Sequence, residues 1–585
     1  MTVSPAPIES CRFFASTVKP PDICRIPFEG TASTASLENA LAWLRLCALD
    51  HPQCGPGESQ KLPSRVLNIK KDPVFLYETK NELARYACLS HCWGPPGDSP
   101  ILRTLKNTIA RHKEEVPWQL LPQNFQDAIS FARRLGLAWI WIDSLCIIQD
   151  DPLDWEKEAA QVASIYQNAY VTLGATRSPH SNGGLFNRKG ERIQDSIKSP
   201  LNLVVNGHEA AIYAGAYMDH VTQYPRPMEH AEKSPFPLLE RAWVYQERLL
   251  SPRFLHFAPY ELNWECRESF KCECGGTVNY ASNPNTKIRS QLSAYGVGSE
   301  EVDRPSLWRW LVGEYSRLSI TYGKDVFPAL AGLAQRWNLH GTDQYLAGLW
   351  RSSFVHDLLW ETEDWRVEAE RPFPWRAPTW SWASVFHAPI RYPAQLSIKH
   401  VHADIVEVHC IPTGLDRTGE ISSAYLVLSA KCLPGAAFYL DKSKDSMLEL
   451  KVLFSHFRCI LSIKTKDGMY SPHPGFSPDI PTREKLPPSP VKVIMIADVE
   501  RNGQISRAFL VLKEREDESD TYERFGMLTL ESGRDIGCIE AYGEASRQVG
   551  GDVSLQERAM EIGSKMTEGV FREFEEQPMR TFKIL

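Results

Sequence analysis

Strands and helices alternate along residues 84–176, and this alternation constrains the fold more than any other feature of the chain. Apolar strands are predicted in "YACLSHCWG" at 86–94, "LAWIWI" at 137–142 and "AYVTLGA" at 169–175. A continuously apolar strand such as "LAWIWI" is typical of a sheet that is covered on both faces. Because helical patterns separate the strands, the sequence predicts a β-α-β-α-β unit with a parallel sheet and right-handed crossovers.

The two helices of this unit have recognisable ends. Asn124 can cap the first helix, and Gly136 can supply its left-handed stop. The second helix is predicted to begin with Asp151 as its cap and Pro152 at its first position. Negative charge is favourable at a helix N-terminus, so we interpret Asp151 and Asp154 as residues that start the helix rather than residues of a site.

The length of 585 residues is too great for one hydrophobic core and indicates several domains. Apolar residues make up 43% of the chain and charged residues 23%, as in an ordinary folded protein. The sequence predicts four regions: an N-terminal extension with one helix (1–83), the α/β domain (84–275), a helical, Trp-rich region packed on that domain (276–394), and a β-rich C-terminal domain with a Pro-rich linker near 471–492 and a terminal helix capped by Ser554 and Glu557 (395–585).

Charge and targeting patterns exclude several classes of protein. The net charge of −7 comes without a long basic run, which disfavours nucleic acid as a partner. The first residues lack the basic and apolar regions of a signal peptide, and the uncharged run at 159–176 carries enough polar residues to be helix, turn and strand rather than a membrane span. Fourteen cysteines without a signal peptide suggest reduced thiols. We therefore expect a cytoplasmic protein without a membrane partner.

Two short segments follow the predicted strands at the edge where open α/β sheets bind their ligands. These segments are Ser90 to Gly94 after the first strand, including Trp93, and Asp143 with Ser144 after the second. Ligands bind beyond the carboxyl ends of the strands because loops converge there. The alternative for Asp143 is that it caps the turn that follows the strand.

A third candidate lies in "RAWVYQERLL", which is predicted to belong to a helix from Leu238 to Leu250. Trp243 and Glu247 are four residues apart and share one helix face, with Glu240 a turn earlier. A carboxylate beside a buried indole is partly desolvated, which is a setting for a catalytic acid or base. The alternative is a surface glutamate that pairs with Arg241 or Arg248.

The cysteines do not predict a site. Cys266, Cys272 and Cys274 could form half of a zinc site, but no second Cys or His pair completes it, so we predict no metal. His91 and Cys92 are adjacent on a strand and would point to opposite faces, which argues against a Cys/His nucleophile. Phosphate-binding, dinucleotide-binding, serine-hydrolase and metalloprotease motifs are not found in the sequence.

Three blocks of the chain, in order, resemble the fungal heterokaryon-incompatibility (HET) domain. They are "YACLSHCWG", "FQDAISFARRLGLAWIWIDSLCIIQDDPLDWEKEAAQVASIYQNAYVTLGAT" and "RAWVYQERLLSPRFLHF". The resemblance covers about residues 84–267. Segments "DVFPALAGLA", "YLAGLW" and "APTWSWASV" resemble the region that commonly follows this domain, to about residue 390.

The resemblance implies a role in nonself recognition, in which a HET effector leads to growth arrest or regulated cell death. HET domains are distantly similar to Toll/interleukin-1 receptor (TIR) domains, so it also implies a flavodoxin/TIR-like parallel sheet. Some TIR domains cleave NAD with a Glu four residues after a Trp, and "WVYQE" offers that spacing. This implies Glu247 as the catalytic residue and a nucleotide pocket lined by Ser90, Trp93, Asp143, Ser144 and Trp243.

The family pattern also has departures and alternatives. TIR domains place a Cys after the Trp, where this chain has Val244. No cofactor is implied, since NAD would be the substrate, and the implied partners are other proteins of an incompatibility pathway or further copies of the chain. The alternatives are a non-enzymatic signalling or scaffold module and an accessory protein of a metabolic gene cluster.

Overall fold

The computed structural model of the chain divides into two compact units, residues 1–302 and 303–585. Only the backbone is described for 11–15, 201–205, 208–216, 434–442, 445–454, 459–464, 475–478, 489, 501, 504 and 531. The structure describes backbone and side chains for residues 30–94, 101–187, 234–259, 261–273, 303–338, 341–363, 369–393, 397–414, 416–433, 479, 490–500, 505–530, 571–572 and 574–585.

The first unit contains both helices and strands. Its α-helices are α1 Thr34–Asp50, α2 Ile109–Glu114, α3 Gln123–Arg134, α4 Asp143–Cys146, α5 Pro152–Ala159, α6 Val162–Asn168 and α7 Ala242–Leu250. Its strands are β1 Cys11–Ala15, β2 Gln60–Lys61, β3 Arg65–Asn68, β4 Phe75–Glu78, β5 Leu83–Ala84, β6 Ala87–Ser90, β7 Trp139–Trp141, β8 Val171–Gly174, β9 Leu201–Val205, β10 His208–Ala216, β11 Arg253–Phe257, β12 Leu262–Cys266 and β13 Phe270–Cys272.

Eight of these strands form one sheet in the order β13-β12-β11-β8-β6-β7-β3-β4. The central strands β11, β8, β6 and β7 run parallel, and Ala87 of β6 pairs with Val171 on one side and Ile140 on the other. The predicted α/β sheet is therefore confirmed. The predicted parallel pairing within residues 84–176 is also confirmed, but the sheet as a whole is mixed, because short connections join β3 to β4, β11 to β12 and β12 to β13, and such connections allow only antiparallel pairing.

The parallel strands follow the spatial order β7-β6-β8-β11, which is second, first, third and fourth along the chain. The flavodoxin-like doubly wound order begins in the same way, and its ligands bind where the strand order reverses, between the first and third strands. The strand beyond β11 is the antiparallel β12, where a flavodoxin has a fifth parallel strand. The finer likeness to flavodoxin and TIR domains therefore stays a proposal.

The helix ends follow the sequence in most respects. Asp151 caps α5 by accepting a hydrogen bond from the Leu153 N–H, and Pro152 takes the first position. Gly136 follows α3 with a φ of 78°. The prediction that Asn124 caps α3 is wrong, because that helix already begins at Gln123 and the Asn124 amide donates to the His180 carbonyl at 3.2 Å.

The segment before residue 84 contributes directly to this sheet. It contains the predicted helix α1, and it also supplies the edge strands β3 and β4. On β3, the buried Arg65 forms ion pairs with Asp154 at 2.5 Å and with Glu158 at 3.6 Å, both on α5. The segment predicted as an extension is therefore part of the central sheet.

The second unit is dominated by strands. Its α-helices are α8 Arg304–Tyr315, α9 Pro328–Trp337 and α10 Phe354–Asp357. Its strands are β14 Tyr345–Leu346, β15 Leu349–Trp350, β16 Glu361–Thr362, β17 Ile390–Arg391, β18 Ser397–Val401, β19 Asp404–Pro412, β20 Ile421–Lys442, β21 Asp445–Phe454, β22 Cys459–Lys464, β23 Gly475–Pro478, β24 Ser489–Arg501, β25 Gln504–Glu514, β26 Thr521–Glu531 and β27 Met579–Ile584.

Five of these strands close into a ring, because β20 pairs with both β27 and β24 while β24, β25, β26 and β27 pair in sequence. Val493, Met495, Phe509, Val511 and Leu528 form part of its apolar core. The prediction of a β-rich C-terminal region is confirmed. Part of the predicted Pro-rich linker belongs to β23 and β24, and the terminal helix predicted from Ser554 lies outside the described residues.

Tryptophans pack the helical part of the second unit. Trp308, Trp350, Trp360 and Trp380 are fully buried, and the Trp360 indole donates to the Trp380 carbonyl at 3.0 Å. The Pro/Trp/Ser loop at 373–385 therefore packs across other elements, as its sequence predicts. The packing of 276–394 on the α/β domain stays a prediction, and residues 303–393 belong to the same compact unit as the β-rich region. Among the described helices, none is both long and apolar enough to cross a membrane.

Candidate functional site

A serine and a glutamate from distant parts of the chain meet at the carboxyl end of β6. Ser90 is the last residue of β6 and is fully buried, and its hydroxyl donates a hydrogen bond of 2.6 Å to Oε2 of Glu247 on α7. The chain separates them by 157 positions. The parallel pairing of β11 with β8 returns the chain to this sheet and places α7 over its edge.

The surroundings of Glu247 favour its neutral form more than water does. Burial raises the pKa of the Glu247 carboxyl to about 7, and the negative charge of Asp143 adds to the rise. The hydrogen bond from Ser90, the Tyr166 hydroxyl and the positive charge of Arg241 act in the opposite direction and lower the pKa. At neutral pH the carboxyl is therefore divided between its two protonation states, which suits a catalytic acid or base.

Asp143 lies beside this group, after the neighbouring strand β7. It is the first residue of α4, and its Oδ2 accepts a hydrogen bond of 2.8 Å from the Trp93 indole. Its Oδ1 accepts from the Ser144 N–H at 2.7 Å, so Asp143 also holds the turn after the strand. The contact with Ser144 fits the interpretation of Asp143 as a capping residue, and its role in binding a ligand stays a prediction.

The residues of this group differ in their access to solvent. Trp93, Asp143, Trp243 and Glu247 are partly exposed, and the Asp143 side chain keeps 30% of its surface accessible. Ser90 and Ser144 are fully buried. The four partly exposed residues are accessible to a small molecule, whereas Ser90 is shielded and contacts the Glu247 carboxyl.

The structure tests the alternative that Glu247 is a surface glutamate paired with Arg241 or Arg248. Arg248 bonds to the buried Glu265 at 2.7 Å and is not the partner of Glu247. Arg241 precedes α7 and does lower the pKa of Glu247 by its charge. The predicted helix from Leu238 is wrong at its start, because a 3-10 turn, Pro237–Glu240, comes before α7, so Glu240 does not share its face.

Two further residues belong to this group: the sequence indicated no site role for Tyr166, and it placed His91 within the candidate segment Ser90 to Gly94. Tyr166 is buried on α6, and its hydroxyl, which donates to the Leu89 carbonyl at 3.4 Å, also lowers the pKa of Glu247. His91 is buried with Nδ1 at 3.7 Å from Asp143 Oδ1, and burial lowers its pKa, so the ring is neutral at neutral pH. The apolar pattern of its helix predicts Tyr166 as a core residue. Its position near Glu247 follows only from the order of the strands in the sheet.

The thiols near this site are poor nucleophiles. Cys88 is fully buried on β6, and burial raises its pKa well above the usual value. Burial likewise raises the pKa of Cys92 to about 11. Because the thiolate is the reactive form, neither residue supplies thiol chemistry at neutral pH.

A different set of residues could hold a metal ion. Cys47, His51, Cys54 and Cys266 offer ligand atoms that all lie within 4.8 Å of one another. The sequence pointed only to Cys266, Cys272 and Cys274. Cys272 is not part of this cluster, and Cys274 lies outside the described residues. The spacing of Cys47, His51 and Cys54 within eight residues was the signal that could have indicated the site.

Comparison with known proteins gives one match. The family model described as heterokaryon incompatibility protein (HET) matches residues 86–247. The matched segment begins just before β6 and ends at the glutamate that bonds to Ser90. No curated protein and no solved structure is significantly similar to the chain.

Proposed function

This chain is a HET domain protein, with the domain at residues 86–247, and from that premise we propose that it acts in fungal nonself recognition by cleaving NAD. The HET domain suggests a role in heterokaryon incompatibility. The proposal adds that the protein is an effector of growth arrest or cell death in the cytoplasm, and that a TIR-like reaction at Glu247 is its activity.

The hydrogen bond between Ser90 and Glu247 carries this proposal. It fixes a partly exposed carboxyl at the carboxyl end of a central parallel strand, where open α/β sheets bind nucleotides. The raised pKa of Glu247 gives that carboxyl both protonation states at neutral pH. A surface glutamate with a structural role would need neither feature.

The chemistry requires a negative group beside the ribose. The bond between ribose C1′ and the nicotinamide nitrogen breaks, its electron pair leaves with nicotinamide, and positive charge develops at C1′. Ionised Glu247 stabilises that charge, accepts a proton from the attacking water and leaves ADP-ribose as the other product. The partly exposed rings of Trp93 and Trp243 offer stacking surfaces for the bases.

The test measures nicotinamide release from NAD by the full chain. Glu247→Gln keeps the size of the side chain and its bond to Ser90 but cannot ionise, so we expect the rate to fall by about 100-fold or more. Glu156→Gln changes an exposed acid on α5 and should leave the rate unchanged. Equal rates in wild type and Glu247→Gln, or no release by the wild type at any concentration that supports assembly, would contradict the proposal.

A non-enzymatic signalling module is the second candidate, and one observation favours it. Val401, Val406 and Ile411 on β18 and β19 expose between 43% and 59% of their surface, as residues of a binding face do. In this case growth arrest on overexpression in a fungal host would survive Glu247→Gln and be lost in Val406→Glu. If the protein acts by cleaving NAD, growth arrest would be lost in Glu247→Gln and would survive in Val406→Glu.

A further inference from the structure

Three thiols and one imidazole converge in the first unit, away from the residues matched by the family model. They belong to Cys47, His51, Cys54 and Cys266, and their ligand atoms lie within 4.8 Å of one another. Cys47 and Cys266 are fully buried, and Cys54 is 6% exposed. His51 Nδ1 lies 3.3 Å from the Cys266 sulfur.

The local fold brings these residues together from two distant segments. Cys47 is in the last turn of α1, His51 is the residue after that helix in the cap position, and Cys54 ends a 3-10 turn, Pro52–Cys54. Cys266 is the last residue of β12. The helix end therefore contributes three side chains, and the sheet edge contributes the fourth.

Two hydrogen bonds fix the helix end against the turn after β12. The Gln53 N–H donates to Glu268 Oε1 at 2.6 Å, and Arg267 donates to the Gln53 carbonyl at 2.9 Å. These bonds do not involve the four converging side chains. The two segments are thus held together by bonds between the Gln53 backbone and the side chains of Glu268 and Arg267, and the four side chains are placed in advance of any ligand.

The Cys266 sulfur also receives hydrogen bonds. The Ser269 N–H donates to it at 3.1 Å, and the Ser269 hydroxyl lies 3.4 Å from it. Donors directed at a sulfur favour the thiolate over the thiol. Groups that form hydrogen bonds to metal ligands orient those ligands and adjust their basicity.

The donor atoms of the four side chains indicate which metal the cluster would bind. Zn²⁺ in structural sites is bound tetrahedrally by Cys and His, with Zn–S near 2.3 Å and Zn–N near 2.0 Å, which sets ligand atoms about 3.5–3.8 Å apart. The separations in this cluster allow one ion at its centre. An iron–sulfur cluster would need its thiolates farther apart, because several atoms lie between them.

We propose that Cys47, His51, Cys54 and Cys266 form a structural zinc site that fastens α1 to the end of β12. The set of three thiolates and one imidazole is closed, with no position left for a substrate, so the ion contributes to stability and not to a reaction. A disulfide is the competing outcome for this cluster. It would use only two of the three thiols and would leave the third thiol and the imidazole without a role.

Zinc content of the full chain, purified under reducing conditions and dialysed after addition of Zn²⁺, tests the proposal. We expect about one zinc per wild-type chain and a loss of about tenfold or more in Cys266→Ser and in His51→Ala. Cys272→Ser is the matched control, because it removes a buried thiol from the neighbouring strand β13 and should keep the zinc.

A second measurement covers variants that fail to fold. Wild-type protein loaded with Co²⁺ instead of zinc should show the intense visible bands of a tetrahedral ion with thiolate ligands. Absence of zinc from the wild type, an octahedral cobalt spectrum, a disulfide among Cys47, Cys54 and Cys266 in the reduced preparation, or equal zinc loss in Cys272→Ser would each overturn the site.

Discussion

The carboxyl of Glu247 is shaped by opposing influences from four neighbours. Burial and Asp143 raise its pKa, whereas Ser90, Tyr166 and Arg241 stabilise its charge. The net result is a pKa of about 7, so small changes in any neighbour shift the protonation state near neutral pH. This balance makes the group sensitive to pH in both stability and activity.

The stability of the protein should therefore depend on pH through this residue. Between the ordinary glutamate pKa and about 7, the folded state holds a proton that the unfolded state has lost, so wild-type stability falls as pH rises across that interval. Glu247→Gln removes this dependence. Its melting temperature relative to wild type should rise between pH 5 and pH 7 by a few degrees, equivalent to about 1–3 kcal/mol, and then stay level.

Thermal denaturation at several pH values checks this expectation. Glu156→Gln changes an exposed acid in the same domain and should show no such trend. A constant difference between Glu247→Gln and wild type from pH 5 to pH 8 would mean that the carboxyl is not desolvated.

Ser90 should influence the same titration without contacting a ligand. Its hydrogen bond lowers the pKa of Glu247, so Ser90→Ala should raise that pKa. The stability of the variant should then stop falling with pH at a higher pH than the stability of wild type does. At pH 7 the NAD cleavage of the variant should also be slower, because less Glu247 is ionised, and it should recover at higher pH. Ser164→Ala, at an exposed position on α6, is the control. A loss of activity that is equal at every pH would assign Ser90 a different role.

Part of the site could be predicted from the sequence because strand ends and helix spacing are local properties. Ser90 and Asp143 end or follow apolar strands, and Glu247 lies four residues after Trp243. That Tyr166 lowers the pKa of Glu247 could not be predicted, since it depends on the packing of α6 against α7. Local sequence patterns therefore predict candidate site residues. Which of these residues contact one another depends on the order of the strands in the sheet.

At the scale of the elements, β3 and α5 are joined by a buried cation. Arg65 bonds to the Cys146 carbonyl at 2.6 Å and pairs with Asp154 and Glu158. Glu158 is fully buried and also accepts from the Ser64 hydroxyl at 2.7 Å. Removal of the arginine would leave this acid buried without its counter-charge.

Arg65→Ala should therefore destabilise the first unit by about 3–5 kcal/mol. Chemical denaturation monitored by tryptophan fluorescence measures the effect. Arg103→Ala, at an exposed position, should change stability by less than about 0.5 kcal/mol. If the two variants are equally stable, β3 is not tied to the domain in the way the contacts indicate.

The elements also show which parts of the fold the sequence could predict. The parallel strands and their helices carry long apolar patterns, and they lie where those patterns place them. The antiparallel edge strands β3, β4 and β13 are as short as β6, β7 and β8, but each carries a charged residue and a short loop joins it to its neighbour, so these strands lie outside the alternation of strands and helices. For the same reason the sequence described the first 83 residues as an extension.

On the scale of the whole molecule, each of the two units has an apolar core among its described residues. Each unit also buries an arginine that pairs with a buried acid, Arg65 in the first and Arg524 in the second. Arg524 in the second unit bonds to Asp479 at 3.1 Å and to the carbonyls of Leu358 and Trp360 at 2.6 Å, and its guanidinium lies 3.6 Å from the centre of the Trp360 ring.

Calorimetry should therefore resolve two unfolding transitions. Arg524→Ala removes one of the two arginines that pair with the buried Asp479, the other being Arg371, and should lower the transition of the second unit by several degrees. Arg65→Ala should lower the other transition. A single transition that both variants shift equally would show that the two cores unfold together.

The separation of Ser90 from Glu247 along the chain also has a consequence for synthesis. The acid reaches Ser90 only when β11 has paired with β8, and β11 extends to Phe257. When only the first two hundred or so residues have left the ribosome, Ser90, Trp93 and Asp143 are present but Glu247 has not been made. Under the proposed function, the nascent chain would stay inactive until most of the first unit has emerged, and premature termination would yield a fragment that cannot cleave NAD.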